Sequence, residues 1–482
     1  MHPKLSTVGI SILMSVLVCA CNAGPDYVKP KVAMPSNYKE LAKYWRPAKP
    51  QDTAERGAWW TIFNNPQLNA LENKLNINNQ NIALAAAQYQ EAQALVAQAK
   101  AGYFPLVSGS VVNTRQKQPV SKNSNSNSRG NSSVSSNTST KPYTTDTLTL
   151  GATWEPDLWG AVRRAVEANV AGAEASAAQL ASVRLSMQAA LAQTYLQLST
   201  LDLNQQNLDA TVLAYKKILQ LIKNRYAAGV AAQADILQAE INLNTATALA
   251  QDNHIARAQY EHAIAVLIGE PASIFSLPVK RLALTPPRVP VNLPAELLER
   301  RPDIAAAERL MAQANAEIGV AVSAYYPILT LSGDMGYQNN TFKHLISQPT
   351  QFWALGPQLA ATFFDGGLRS AKVQAARANY TGSIATYRQT VLTALQNVED
   401  NLAAVRILAA EANTQNKFVD NTKGQFKIIS NAYNAGTTDA LGVLNVKIAL
   451  LIAENDAIAV SGRRFVATVG LIMALGGGWH SM

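Results

Sequence analysis

Cysteine is nearly missing from this chain: there are two in 482 residues, Cys19 and Cys21, both near the amino terminus. A chain processed at that point cannot hold an internal disulfide. Histidine occurs five times, and the five are scattered. His254 and His262 share a helical stretch without a carboxylate or thiol at ligand spacing, so packing or surface roles outweigh a metal site. No phosphate loop, nucleophile elbow or zinc spacing occurs, which argues against an enzyme. The formal charge of +9 is spread along the chain. It forms no clustered stripe with interleaved aromatics, so it makes no case for nucleic acid. Proline is absent from two long stretches, 159–268 and 367–475.

What those stretches contain is repetition. Both are rich in Ala, Gln and Leu. The first breaks once, at Arg225-Tyr226-Ala227-Ala228-Gly229, and the second at Ala432-Tyr433-Asn434-Ala435-Gly436. Each reads as a helix, a tight turn and a returning helix, because glycine tolerates the left-handed conformation that ends a helix. Tyr380, Ile384, Tyr387, Val391, Leu395, Val398, Leu402 and Val405 recur at three- and four-residue steps, one face of a helix. Helices from Trp159 to Tyr226 and from Gly367 to Tyr433 would each be roughly 100 Å long at ~1.5 Å per residue. Taken alone, these stretches also fit a fibrous coiled coil.

The amino terminus is a targeting segment. Lys4 supplies the positive end, and Val8 to Val18 form an apolar run too short to span a bilayer. It ends Val18-Cys19-Ala20-Cys21, which resembles a bacterial lipobox whose last cysteine is acylated and becomes the first mature residue. Cys19 is an unusual occupant, and an ordinary secretory signal cleaved near Ala20 or Ala23 is the alternative. Asn22 is not the aspartate that retains such lipoproteins in the inner membrane, which favours the outer membrane.

Between the helical stretches the period changes to two. After Gly102-Tyr103-Phe104-Pro105, Leu106 to Lys117 is a weak strand. Ser121 to Thr140 has no apolar residue except Val134 and reads as a mobile solvent loop. Then Leu148, Leu150, Ala152 and Trp154 alternate with small polar residues. The unit recurs: Ala324-Tyr325-Tyr326-Pro327 matches the earlier corner, Leu329 to Tyr337 alternate, and so do Trp353 to Phe363. Pro357 argues against a central strand there. Trp159-Gly160 with Arg164 corresponds to Phe364-Asp365-Gly366-Gly367 with Arg369. Helix, strand, loop, strand, long helix, turn and helix are thus stated twice.

The expected organisation is a signal peptide (1–20), an N-terminal equatorial segment (21–67), a helix (68–101) and a first strand pair (102–158). A first helical hairpin (159–269), a linker (270–302), a helix (303–323), a second strand pair (324–366), a second hairpin (367–475) and a tail (476–482) follow. Arg301 and Asp303 could be mistaken for a catalytic pair, but capping and packing suit them better.

Four strands with apolar outer faces call for a bilayer. A membrane sheet must be closed, because lipid cannot satisfy an open edge. About eight strands make the smallest filled barrel, so four cannot close alone and several chains must contribute. A trimer gives roughly twelve strands and a lumen too wide for side chains to fill.

The lipobox with Gly-Pro-Asp-Tyr, Arg300-Arg301-Pro302-Asp303-Ile304, the repeated Tyr-Phe/Tyr-Pro, the Phe364-Asp365-Gly366-Gly367 corner and the terminal Gly-Gly-Gly-Trp together resemble outer-membrane efflux lipoproteins. These form the NodT-type branch of the TolC-like outer-membrane factors, and the resemblance covers essentially the whole mature chain. It implies a mixed α and β membrane protein: a trimeric twelve-stranded outer-membrane β-barrel, four strands per chain, continued by a long periplasmic α-helical barrel. It implies no cofactor. It also implies an exit duct for small molecules in a tripartite pump, with a periplasmic adaptor and an inner-membrane transporter, often of the RND class. Cys21 is the expected lipid attachment.

The resemblance places both hairpin turns at the periplasmic tip. Gly229, Val230, Gly436 and Thr437 are the expected adaptor contacts, unless the glycines only cap helices. The family closes the duct with carboxylate rings just past the second turn. Those positions are Gly442 and Asn445 here, and neither is acidic. Asp235 and Asp439 are candidate replacements, with Lys447 as a possible partner for either; solvated helix-start residues are the alternative. Leu441 and Leu444 are candidates for a steric constriction. Two other readings remain open: a type I protein-secretion duct, and a non-conducting lipoprotein with a coiled-coil stalk, against which the strand pairs argue.

Overall fold

The computed structural model describes residues 23–29, 57–117, 142–279, 286–287 and 301–477. Cys21, the Ser/Asn segment 121–140, much of the 270–302 linker and the tail beyond 477 lie outside the described residues.

Helices α1 (Pro66–Asn78) and α2 (Gln80–Ala101) precede strands β1 (Leu106–Gln116) and β2 (Tyr143–Trp154). The long α3 (Ala161–Ala227) and the returning α4 (Gln233–Leu267) follow. The second half runs α5 (Pro302–Ser323), β3 (Ile328–Asn339), β4 (Gln351–Ala360), α6 (Leu368–Asn434) and α7 (Ala440–Ala474). Both long helices have 67 residues and both returning helices have 35. Identical lengths on both sides of both turns mean that the repeat is carried by the backbone as well as by the residues.

The helix expected over 68–101 is two helices. Asn65 caps α1, its Oδ1 accepting from the N–H groups of Gln67 and Leu68, and Pro66 takes the first helical position. Asn79 breaks the run with an extended backbone. Its Oδ1 accepts from the Asn81 and Ile82 N–H groups, and its Nδ2 donates to the Leu267 carbonyl at 2.7 Å. One buried amide therefore starts α2 and caps the last carbonyl of α4. The strand expected to reach Phe363 ends at Ala360.

The chain divides into two compact units. One gathers 93–171, 312–381 and the described residues up to 28. It holds a single antiparallel sheet in the order β1-β2-β3-β4. The middle pair, β2 and β3, comes from different halves of the sequence, so the two strand pairs merge into one sheet. Pro357 sits on β4, opposite Leu331. β4 is an edge of this sheet, where a missing N–H is tolerated.

At the corners into the long helices, one carboxylate does the same work twice. Asp157 accepts from the Val162 and Arg163 N–H groups and pairs with the Arg163 Nε at 3.2 Å. Asp365 accepts from the Gly367 and Arg369 N–H groups and pairs with the Arg369 Nε at 2.6 Å. Arg163, rather than Arg164, is thus the counterpart of Arg369. Arg164 is turned elsewhere and buried.

The other unit gathers the described residues within 29–92, 172–311 and 382–482. Its core joins Trp59, Trp60, Leu68, Leu71 and Leu75 to Leu191, Leu196, Ile264, Phe465, Val469 and Ile472. Arg301 is buried there. Its Nη1 donates to the Ala474 carbonyl at 2.9 Å, and Asp303 accepts from its Nε and Nη2. A cation on the last carbonyls of α7 suits the helix dipole. The pair closes a helix end.

Candidate functional site

The sheet unit is amphipathic across all four strands. Register puts Gly109, Leu150, Met335 and Trp353 in one row, with Val111, Leu148 and Tyr337 in the next. Leu355 and Leu359 share that face, and Trp353 and Leu355 are 73% and 78% exposed. The opposite face carries Ser108, Ser110, Thr147, Thr149, Thr330, Ser332 and Gln358. Asp334 is its one carboxylate. Bare leucine and tryptophan on one side of a polar-backed sheet have no place in water at this density.

Both ends of the apolar face are marked. At one end Asn113, Asp146 and Asn339 form a row, with the Asn113 amide donating to the buried Asp146. At the other, where β1 and β3 begin and β4 ends, Tyr103, Phe104, Tyr325, Tyr326, Phe363 and Phe364 are exposed, Phe363 by 96%. A band bounded by aromatics and carried on strands of ten to twelve residues has the height of a tilted membrane strand, ~9–11 residues. Among the described residues no helix is long and apolar enough to cross a membrane.

In the other unit, the two hairpin turns share one construction. The Gly229 N–H donates to Tyr226 O and the Val230 N–H to Arg225 O. The Gly436 N–H donates to Tyr433 O and the Thr437 N–H to Ala432 O. This is the paired-bond helix stop that places a residue in the left-handed region, and Gly229 and Gly436 sit there at φ +75° and +77°. A Cβ on either would meet nothing within 4 Å. Backbone conformation alone therefore demands glycine. Val230 and Thr437 are exposed beside them.

Asp235 and Asp439 both serve the starts of returning helices. The Ala232 N–H donates to Asp235 at 2.9 Å, and Asp439 caps α7 by accepting from the Gly442 N–H at 2.9 Å. Asp439 also pairs with Arg225. The cation beside Asp439 is Arg225, and Lys447 lies over the Phe426 ring at 5.3 Å. Arg225 was visible only as a last-turn residue, because its partner lies on the other hairpin. Leu441 and Leu444 are half-buried against Ala214, Ile218, Ala239 and Ile448. Asn445 is exposed and Gly442 half-buried.

A family model described as outer membrane efflux protein matches residues 71–270 and 293–477. The chain belongs to this family. Among curated relatives of the efflux protein is the pyoverdine export outer membrane protein OpmQ of Pseudomonas aeruginosa, 29% identical over 99% of this chain and 98% of that protein. Another is the toluene efflux pump outer membrane protein TtgC of Pseudomonas putida, 27% identical over 97% of this chain and 96% of that one. Among solved structures, the outer-membrane channel OprN superposes with a TM-score of 0.80 at 26% identity, covering 95% of this chain and all of that one. The Campylobacter jejuni CmeC outer membrane channel gives 0.83 at 21% identity, with 95% of each chain covered. The efflux protein thus shares the fold of outer-membrane channels, a mostly helical chain with a four-stranded antiparallel sheet, and is the outer-membrane component of an efflux system. Its relatives are channel proteins and not enzymes.

Proposed function

We propose that three copies of this chain close into one duct through the outer membrane, and that the duct exports small molecules such as drugs or other toxic compounds. The amphipathic four-stranded sheet with two unpaired edges carries this reading. Among the described residues β1 and β4 each have one neighbour, and lipid cannot satisfy the edges left over. Twelve strands in three chains satisfy them and enclose an open lumen lined by the Ser, Thr and Asp334 face. The helical hairpins form the periplasmic part of the duct.

The partners in this reading are a periplasmic adaptor docked at the turns and an inner-membrane transporter of the RND class. Gly229, Val230, Gly436 and Thr437 form the adaptor contact. The constriction lies past the turns, with Asp439 and Asp235 as its charged candidates. Cys21 carries the lipid anchor.

Conductance of purified trimers in a planar bilayer tests the duct. Crosslinking followed by pull-down from cells tests the partners. Protein that forms no channels would return the chain to a structural role. Co-purification with a protein-secretion transporter would replace small-molecule export by type I secretion.

A further inference from the structure

The described residues just past the lipobox are held by a built receptor. Arg164, in the first turn of α3, is 1% exposed. Its Nε donates to the Ala23 carbonyl at 3.0 Å, and its Nη2 to the Gly24 carbonyl at 3.4 Å and to Asp26 at 2.8 Å. Its Nη1 donates to Glu167 at 2.7 Å. Asn315 of α5 donates to the Pro25 carbonyl at 3.0 Å, and the Ala23 N–H donates to Trp159 O at 3.2 Å. Gly24 and Gly319 lie backbone to backbone. A Cβ on Gly24 would stand 2.5 Å from the Gly319 Cα, and one on Gly319 would strike the Ala23 carbonyl and the Arg164 side chain.

Three acceptors on this strap therefore serve a guanidinium whose other acceptor among the described residues is Glu167. A buried arginine stripped of its acceptors is strongly unfavourable. The strap also ties the start of α3, which follows β2, to α5, which leads into β3. Trp159 belongs to the same corner: its Nε1 donates to Pro327 O at 2.7 Å and its ring stacks on Tyr326.

We infer that the groove formed by Arg164, Asn315 and Gly319 is a receptor for the chain's own Ala23–Asp26 segment, and that filling it completes the base of the sheet before the barrel assembles. Its consequence is an order of events. The segment begins two residues after Cys21. While the preceding apolar run is held in the inner membrane, it cannot seat in a sheet destined for the outer one. This rests on reading Cys21 as the mature amino terminus. Processing would then release the strap, and the seated strap would license insertion.

The test follows full-length protein in cells by two readouts: fatty-acid probe labelling of Cys21, and yield of detergent-resistant trimers in the outer membrane. Gly24→Ala and Arg164→Lys should each keep full labelling and lose about tenfold in trimer yield, the scale of one or two buried donors left unpaired. Lysine keeps the charge but cannot fork to three acceptors. Glu167→Ala removes the other partner without touching the strap; the Glu167 side chain is 43% exposed, so water can take its place at Nη1 and yield should stay within about twofold. Wild-type yield in Gly24→Ala would overturn the proposal. So would a Glu167→Ala loss as large as that of Arg164→Lys, which would make Arg164 an ordinary helix-start ion pair. An unlabelled wild-type chain would sink the lipid-anchor reading instead, and the trimer readout would still decide the strap.

Discussion

Arg225 and Asp439 meet across the two helical hairpins, the Nη1 of Arg225 standing 3.5 Å from the Oδ2 of Asp439. Arg225 is in the last turn of α3, where a cation suits the helix end, and Asp439 caps α7, where an anion suits the helix start. The contact joins the tip of one hairpin to the tip of the other. The side chains are 46% and 61% exposed, so screened attraction of about 0.2–1 kcal/mol is the expected strength. A contact that weak can hold a position and still yield to a docking partner.

Asp439→Asn keeps a side-chain oxygen for the cap and removes the charge. Purified trimers of this variant should show altered conductance or cation selectivity, with unchanged protein levels. Raising salt should move wild-type trimers in the same direction. Single-channel records identical to wild type in both conditions would take the charge out of the constriction.

The turn glycines and their neighbours should separate folding from docking. Gly229→Ala and Gly436→Ala force an L-residue into the left-handed region at about 1–2 kcal/mol each, and should lower trimer levels. Val230→Arg and Thr437→Arg change exposed side chains outside that conformation. They should leave levels intact and reduce export severalfold. Full export from the double arginine variant would move the adaptor contact away from the turns.

Glu72 should make stability depend on pH. It is fully buried beside Leu71, both carboxylate oxygens lack a hydrogen-bond partner, and burial pushes its carboxyl up to about 9 from 4.5. Between those values the folded state holds a proton that the unfolded state has lost. Stability therefore falls as pH rises from about 4.5 to about 9 and then levels. Glu72→Gln removes the titration, so its advantage over wild type should grow with pH, reaching about 3 kcal/mol near neutrality. Guanidinium midpoints at about pH 5 and about pH 8 check this. A pH-independent difference would mean that the carboxyl reaches water.

The two faces of the sheet should respond oppositely to charge. Leu355→Lys places a cation on the apolar face at about 2–4 kcal/mol near the bilayer centre, and should abolish outer-membrane trimers. Ser332→Lys, on the polar face, should assemble and change ion selectivity. Equal tolerance of both would leave the apolar face without a bilayer.

Cys21→Ser should abolish labelling by a fatty-acid probe. The unprocessed chain keeps its apolar run ahead of the Ala23–Asp26 strap, so trimer yield and export should fall with the label. Labelling that persists would place the attachment elsewhere.

Much of this architecture was written in local pattern. The two 67-residue helices show as proline-free runs with three- and four-residue steps, and their turns as Gly229 and Gly436. The sheet shows as a period of two with Leu, Met and Trp opposite Thr and Ser. Such patterns are legible because each residue's environment repeats with the geometry of its own element. The break at Asn79 was not legible, since its amide answers to Leu267, which is remote in sequence. Nor was the strap: Arg164 reads as a second arginine in a helix start, next to Arg163, and only the fold turns it toward Ala23 and Asp26. The same holds for Arg225 with Asp439, and for the burial of Glu72. By itself the sequence determined which segments are helix or strand and which face of each is apolar, because those depend on neighbours a few residues away. Only the tertiary structure decided which polar groups would share a buried hydrogen bond or an ion pair, because that depends on approach between segments that periodicity does not encode.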